Sequence, residues 1–229
     1  MSRASGVRRL CLVGSTGLVG TAVIEGALTR SDLRIIGIAR REVALPYGAR
    51  MDMLLAEPAG WSKAIAAANA SVLICALGTT IRTVGGDRAA FRAVDHDLVL
   101  KCAEAAKTAG IDHMIVVSSV GADRASKNFY TQVKGEMEAA LSKVKLRRVD
   151  ILRPGLLLGP RQERRPLERL ARTFSPLFNL FLHGDYRKYR AIRVSTISDA
   201  IFALSREKAA GRFVHEYDAL HYVIRRAGD

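Results

Sequence analysis

A short apolar strand, Leu10-Cys11-Leu12-Val13, runs into Gly14-Ser15-Thr16-Gly17-Leu18-Val19-Gly20 and then into Thr21-Ala22-Val23-Ile24, the start of a helix. A second apolar stretch, Leu33 to Ile38, follows. This succession of strand, glycine turn, helix and strand constrains the chain more than anything else in it. Gly14 permits a tight turn, Gly17 lets the backbone approach a pyrophosphate, and Gly20 lets helix and strand pack closely; the helix N-terminus presents free N–H groups and the positive end of its dipole to an anion. The spacing is G-x-x-G-x-x-G rather than the commoner G-x-G-x-x-G, so the assignment leans on its βαβ context. The rival phosphate loop ends in Gly-Lys-Ser/Thr, and Gly20-Thr21 lacks the lysine. A dinucleotide on the first strand is the expected ligand.

The end of the second strand bears on which dinucleotide. An acid there hydrogen-bonds the ribose 2′-OH of NAD, whereas an arginine accommodates the 2′-phosphate of NADP. Here the strand ends in Ala39-Arg40-Arg41, with no acid before Glu42. A guanidinium pairs with phosphate through two charge-assisted hydrogen bonds. Arg40 and Arg41 are therefore expected to hold a 2′-phosphate, and NADPH/NADP is the expected cofactor.

Strands are expected at about 8–13, 33–39, 49–54, 71–77, 113–119 and 149–154, and helices at about 18–29, 61–69, 88–109 and 130–143. Gly110 stands where a C-terminal helix cap would fall. The alternation predicts an α/β fold, a doubly wound parallel sheet. After Pro160 the pattern changes: Arg161 to Arg172 is charged and Phe174 to Leu182 is apolar and aromatic. A further helix is expected from about Ser195, capped by Ser195 or Ser198, and a late strand at about 213–217. The whole, residues 1–229, is expected to be one nucleotide-binding domain, with about 160–229 including a small C-terminal lobe that faces the substrate.

At 229 residues, 49% of them apolar, the chain can bury a substantial core. No apolar run reaches the length of a membrane span, and the first residues lack a cleavage-site pattern, so neither a spanning helix nor a signal peptide is expected. Cys11, Cys75 and Cys102 form no C-x-x-C pair and read as small buried apolar residues in a reducing compartment, which places the chain in the cytoplasm. The five histidines show no metal-ligand spacing, and no metal is expected. A net charge of +14 would attract nucleic acid or an anionic membrane, but the cations are scattered without alternating aromatics. A small-molecule substrate, with no nucleic acid and no membrane, is the expected partner set; the oligomeric state is open.

One constellation can do chemistry. Ser118-Ser119 end a predicted parallel strand, on the edge where open α/β sheets bind ligands. Tyr130 follows eleven residues after Ser119 and Lys134 four after that, on one face of a helix. An ammonium beside a phenol favours the phenolate, and a nearby serine hydroxyl can hold a carbonyl oxygen. The tyrosine would then move a proton while a nicotinamide moves a hydride. Which serine acts is ambiguous from spacing; Ser119 fits the register better.

The order GSTGLVG, ARR, ALGTT, SSVGAD, NFYTQVKGEMEAAL and LRPGLLLGPRQERR closely resembles the Tat-interactive protein family of atypical short-chain dehydrogenase/reductases, over about residues 8–175. The resemblance implies a Rossmann-type domain in which Gly14, Ser15, Thr16, Gly17, Leu18 and Val19 hold the pyrophosphate and Arg40 and Arg41 the 2′-phosphate. It implies that Leu77, Gly78 and Thr79 line the cofactor, that Tyr130 donates or accepts the proton, and that Lys134 binds the nicotinamide ribose. Leu157 and Arg165 would belong to a loop closing over the cofactor, and Asp52 would contact the adenine. Where the wider family has Asn-Ala-Gly, this chain has Ala76-Leu77-Gly78. With Ser119, Tyr130 and Lys134 intact, an NADPH-dependent reductase of a small carbonyl compound is expected. The alternatives are a redox-sensing regulator that binds NADPH with little turnover, and an NAD(P)-dependent epimerase or dehydratase. Phe174, Phe178, His183 and Tyr186 are candidates to shape the substrate site.

Overall fold

The computed structural model describes residues 7–43, 45–49, 51–159 and 182–228. In chain order the elements are β1 (Arg8–Val13), α1 (Leu18–Ala27), β2 (Leu33–Ala39), β3 (Met51–Leu55), α2 (Trp61–Ala68), β4 (Val72–Cys75), α3 (Arg88–Arg92), a π turn (Ala93–Asp97), α4 (Leu98–Thr108), β5 (His113–Val117), α5 (Phe129–Leu141) and β6 (Arg148–Leu152). Then come β7 (Leu157–Leu158), β8 (Ile192–Arg193), α6 (Val194–Leu204), β9 (Gly211–His215) and α7 (Tyr217–Gly228).

Seven strands form one sheet in the order β3-β2-β1-β4-β5-β6-β9, and every neighbouring pair is parallel. Strand order reverses between β1 and β4, and that reversal opens a crevice at the carboxyl edge of the sheet. A parallel sheet needs both faces covered, so its strands run apolar without alternation. One face buries Cys11, Val13, Leu73, Cys75, Met114 and Val116 under α2, α4 and α5. The other buries Leu10, Leu12, Val72, Ile74 and Ile115 under α1, α6 and α7. The expected doubly wound architecture is the one observed. All three cysteines are free and buried, and burial pushes the Cys11 thiol up to about 12.

Several elements differ from those expected. The helix expected over 88–109 is interrupted by the π turn, and Gly110, at φ +77°, follows its end. Neither Ser195 nor Ser198 caps α6, which begins at Val194 with no side-chain cap. Ser198 is instead buried, and its hydroxyl donates to the carbonyl of Ala22 on α1 at 2.9 Å. The late strand starts earlier, at Gly211, and joins the main sheet beside β6; Tyr217 opens a helix that the sequence reading did not foresee.

One carboxylate cross-links three strands. Asp150 on β6 accepts from His113 Nε2 of β5 and His215 Nε2 of β9, both at 2.8 Å, and from Arg148 Nε and Nη2 at 2.6 and 2.7 Å. An ionised carboxylate only accepts, so both Nε2 atoms carry a hydrogen and its four lone-pair sites are filled. Burial raises the Asp150 pKa, but the hydrogen bonds from His113, His215 and Arg148 together outweigh it and hold the carboxyl well below the usual range. A depressed carboxyl stabilises the fold above its unfolded pKa of about 3.9 and loses that contribution only as pH falls further, toward the folded value. Asp150→Asn leaves the Arg148 guanidinium buried without its counter-charge. We expect it to cost about 3–5 kcal/mol in urea unfolding followed by Trp61 fluorescence at neutral pH, with the gap to the parent chain narrowing only below about pH 4.

Candidate functional site

The crevice is built first from the β1–α1 turn. Gly14 has φ +89°, and a Cβ there would lie 2.6 Å from the carbonyl carbon and oxygen of Ala76, just past β4. A Cβ on Gly20 would lie 2.1 Å from the carbonyl oxygen of Gly14. These two contacts bring the turn, the helix start and the end of β4 together backbone to backbone. Gly17 occupies the cap position of α1 with no side-chain cap, and the first turn holds no acid. The amides of the first helical turn thus keep their unpaired hydrogens and dipole for an anion. Ser15 is 2% exposed, and its hydroxyl has no hydrogen-bond partner among the described residues. A buried hydroxyl without a partner, beside open helix amides and against a turn where side chains are excluded, fits a phosphate group. Thr16 is exposed and Leu18 half-buried beside it, while the Val19 side chain sits in the core, which leaves only its amide for a ligand.

Arg40 and Arg41 follow β2, the strand beside β1, at the same carboxyl edge. Both are exposed, with no carboxylate partner among the described residues. Asp52 does not share that edge. It is the second residue of β3, in register with Ile36 at the middle of β2, and its carboxylate takes Nε and Nη2 of Arg34, near the start of β2, both at 2.8 Å. The expected adenine contact at Asp52 is therefore corrected: its position and its partner put it toward the opposite edge.

Leu77, Gly78 and Thr79 leave β4 into the crevice, and α5 brings Tyr130 and Lys134 to its other side. Asn128 caps α5 through its side-chain oxygen, which accepts from the amides of Tyr130 and Thr131. A Cβ on Gly135 would lie 2.3 Å from the backbone of Asp123, so the helix is seated directly on the loop that carries Ser119. The Tyr130 ring packs 5.7 Å from that of Phe91, and its hydroxyl makes no hydrogen bond among the described residues. Lys134 is buried, with Nζ 2.8 Å from Oδ1 of Asp95. This is a charge contact off hydrogen-bond alignment; the other oxygen, Oδ2, accepts the amide of Thr79 at 2.8 Å.

Asp95, which the sequence reading missed, therefore joins the loop after β4 to the Lys134 ammonium. It belongs to the π turn, the irregularity that breaks the α3–α4 run. Its signal was present: Phe91, Asp95 and Val99 recur at i, i+4 and i+8, and all three are buried, so an acid stands in an apolar stripe. Glu138, one turn beyond Lys134, was missed too. It is buried and takes Arg153 Nε and Nη2 at 2.9 and 2.6 Å.

Glu138 also separates the two serines. The Ser118 hydroxyl donates to Glu138 Oε1 at 2.6 Å in the interior. Ser119 is half-buried, and among the described residues its hydroxyl has only the carbonyl of Val120, at 3.2 Å. Leu157 lies on β7, paired with Ile192 of β8; two residues on, a Cβ at Gly159 would touch Leu18, the first residue of α1. Arg165, Phe174 and Phe178 lie outside the described residues; His183 precedes an exposed 3₁₀ turn, Gly184–Tyr189, and Tyr186 lies within it. Among the described residues no group of side chains could hold a metal ion, and no helix is long and apolar enough to cross a membrane.

A parallel sheet with its order reversed beside a glycine turn, a helix start open to anions and a crevice at the carboxyl edge define a dinucleotide-binding protein of Rossmann type. A family model described as NAD(P)H-binding matches residues 14–168, and the chain belongs to that family. The resemblance to the Tat-interactive proteins also holds: Protein HTATIP2 of Rattus norvegicus is 52% identical over 100 residues, 44% of this chain and 40% of that protein's length. Protein fmp52, mitochondrial, of Emericella nidulans is 34% identical over 173 residues, 72% of this chain and 74% of that protein. Among solved structures, MoeE5 in complex with UDP-glucose and NAD has a TM-score of 0.68 at 16% identity, covering 96% of this chain and 81% of that one. WbmG of Bordetella bronchiseptica in complex with NAD has a TM-score of 0.67 at 17% identity, covering 100% and 81%. Both show the fold alone. The fungal relatives are named as mitochondrial proteins, which overturns the cytoplasmic expectation drawn from cysteine usage and the first residues.

The two serines give a test. Ser118→Ala removes one hydrogen bond from the buried Glu138 and should cost about 1–2 kcal/mol of stability in thermal or urea unfolding, whereas Ser119→Ala should leave stability within about 0.5 kcal/mol. The reverse ranking would show that the hydroxyls have been assigned the wrong way round.

Proposed function

We propose that this chain is an NADP(H)-dependent oxidoreductase that reduces a small carbonyl compound. The observation that carries the reading is the Tyr130 hydroxyl, without a hydrogen-bond partner among the described residues, on the same face of α5 as a buried ammonium and across from a helix start open to phosphate. When bound, the nicotinamide supplies or takes up the hydride. The protein's share is the rest. The first turn of α1 and Ser15 hold the pyrophosphate, and Arg40 and Arg41 hold the 2′-phosphate. Tyr130 gives its phenolic proton to the carbonyl oxygen, and the Ser119 hydroxyl holds that oxygen by a hydrogen bond. Lys134 turns its ammonium to a ribose hydroxyl while Asp95 fixes where that ammonium stands. Asp95 touches neither substrate nor cofactor in this reading and acts as a positioning residue.

Calorimetry with the two cofactors tests the specificity. Arg40→Ala with Arg41→Ala should weaken NADPH about tenfold or more, the worth of one or two hydrogen bonds to a charged group, and leave NADH within about twofold. Equal losses for both would remove the 2′-phosphate assignment. A panel of aldehydes and quinones, read by loss of NADPH absorbance, tests the chemistry. Tyr130→Phe should bind NADPH as the parent does and lower turnover on any responsive substrate by about 10²–10⁴. Undiminished turnover in that variant would show that the proton comes from elsewhere.

A further inference from the structure

The amino-terminal edge of the sheet, opposite the crevice, carries a second concavity. A groove of about 660 Å³ runs across the first residues of β1, β4, β5 and β6 and the turn that follows α6. Its cations are Arg8, Arg147, Arg148, Arg206 and Lys208. Three of them are oriented by one stretch of backbone: Arg8 Nη1 donates to the carbonyl of Ser205 at 2.8 Å, Arg147 Nη2 to that of Lys208 at 2.5 Å, and Arg148 Nη1 to that of Ala209 at 2.9 Å. A carbonyl positions a guanidinium without neutralising it.

Among the described residues, Arg148 alone of these cations has a carboxylate that none of the others shares, Asp150. Arg8 and Arg206 share a single carboxylate, Asp32, at 3.6 and 2.9 Å. Arg147 and Lys208 are exposed and have none among the described residues. The two acids that line the groove are committed to other cations, Asp112 to Lys107 at 2.8 Å and Glu207 to Arg226. Burial, and after it the charge of Arg206, lower the Arg8 pKa against the opposing pull of Asp32.

We propose that this groove is a second anion site, distinct from the dinucleotide crevice, that takes a phosphate group carrying two or more negative charges. Forked guanidiniums already fixed in place match phosphate oxygens in pairs, and the anion relieves the crowding of Arg8 and Arg206. The shared chemistry is the phosphate; a soluble phosphoanion and a lipid headgroup both present it.

The test uses the full chain and pyrophosphate in calorimetry. Arg147→Ser with Lys208→Ser removes two exposed cations of the groove, and Lys63→Ser with Lys101→Ser removes two exposed cations elsewhere as a control for net charge. We expect saturable binding that the groove pair weakens about tenfold or more and the control pair leaves within about twofold, with the heat of NADP⁺ binding unchanged in both as proof of folding. Flotation with phosphatidylcholine vesicles, with and without phosphatidic acid, separates the sources. Retention by phosphatidic acid that is lost in the groove pair assigns a headgroup; pyrophosphate binding without retention assigns a soluble anion. Absence of both, or equal weakening by the two pairs, overturns the site.

Discussion

The site depends on one steric fact, the direct contact of backbone with backbone where Gly14 meets the end of β4 and Gly20 meets Gly14. Any side chain at either position would collide with main-chain atoms, which cannot rotate aside. Because they touch, the first turn of α1 opens straight into the crevice left by the reversal of strand order. Ser15 beside it is buried, with a hydroxyl that has no hydrogen-bond partner among the described residues. Packing leaves here a set of amides that helix geometry cannot pair, at a place where no side chain fits.

Most of the fold could be read from the chain because its determinants are local. The apolar runs at residues 10–13, 35–39, 72–75 and 114–117 and the glycine turn state their own structure. β2 falls on the residues expected, Leu33–Ala39, because polar and charged residues, Arg30-Ser31-Asp32 before it and Arg40-Arg41 after it, bracket it. What was not legible comes from contacts distant in sequence. Ser198 looks like a helix cap until α6 is placed on α1, where its hydroxyl finds a carbonyl 176 residues away. Asp52 looks like a ligand contact until β2 and β3 are paired and Arg34 is found opposite. Asp95 was overlooked because a regular helix was drawn through 88–109, and periodicity does not announce a π turn. The spacing of Ser119, Tyr130 and Lys134 brings them forward as candidates from the chain alone, whereas the buried partner of Ser118, Glu138, lies twenty residues on and shows only in the fold.

Three buried carboxylates divide the work of holding this architecture. Asp150 ties β5, β6 and β9 from within the sheet, Glu138 ties α5 to Ser118 after β5 and Arg153 after β6, and Asp95 ties the loop after β4 to α5. Each would be costly alone and is tolerable because its oxygens meet donors or a cation. Their alternative, apolar packing, would not single out one geometry for the loops at the carboxyl edge. Two of the three converge on α5, so the helix that carries Tyr130 is set by charge as well as by its apolar face.

The π turn has a geometric consequence. Such a turn holds one residue more than the α-helix around it. Loss of a single residue between Ala93 and Asp97 would yield a smoother and more regular helix, yet would swing the carboxylate by about 100° relative to one flank. Such a deletion would part the carboxylate from the lysine and from the Thr79 amide together, so the extra residue of this short stretch is what places the ammonium.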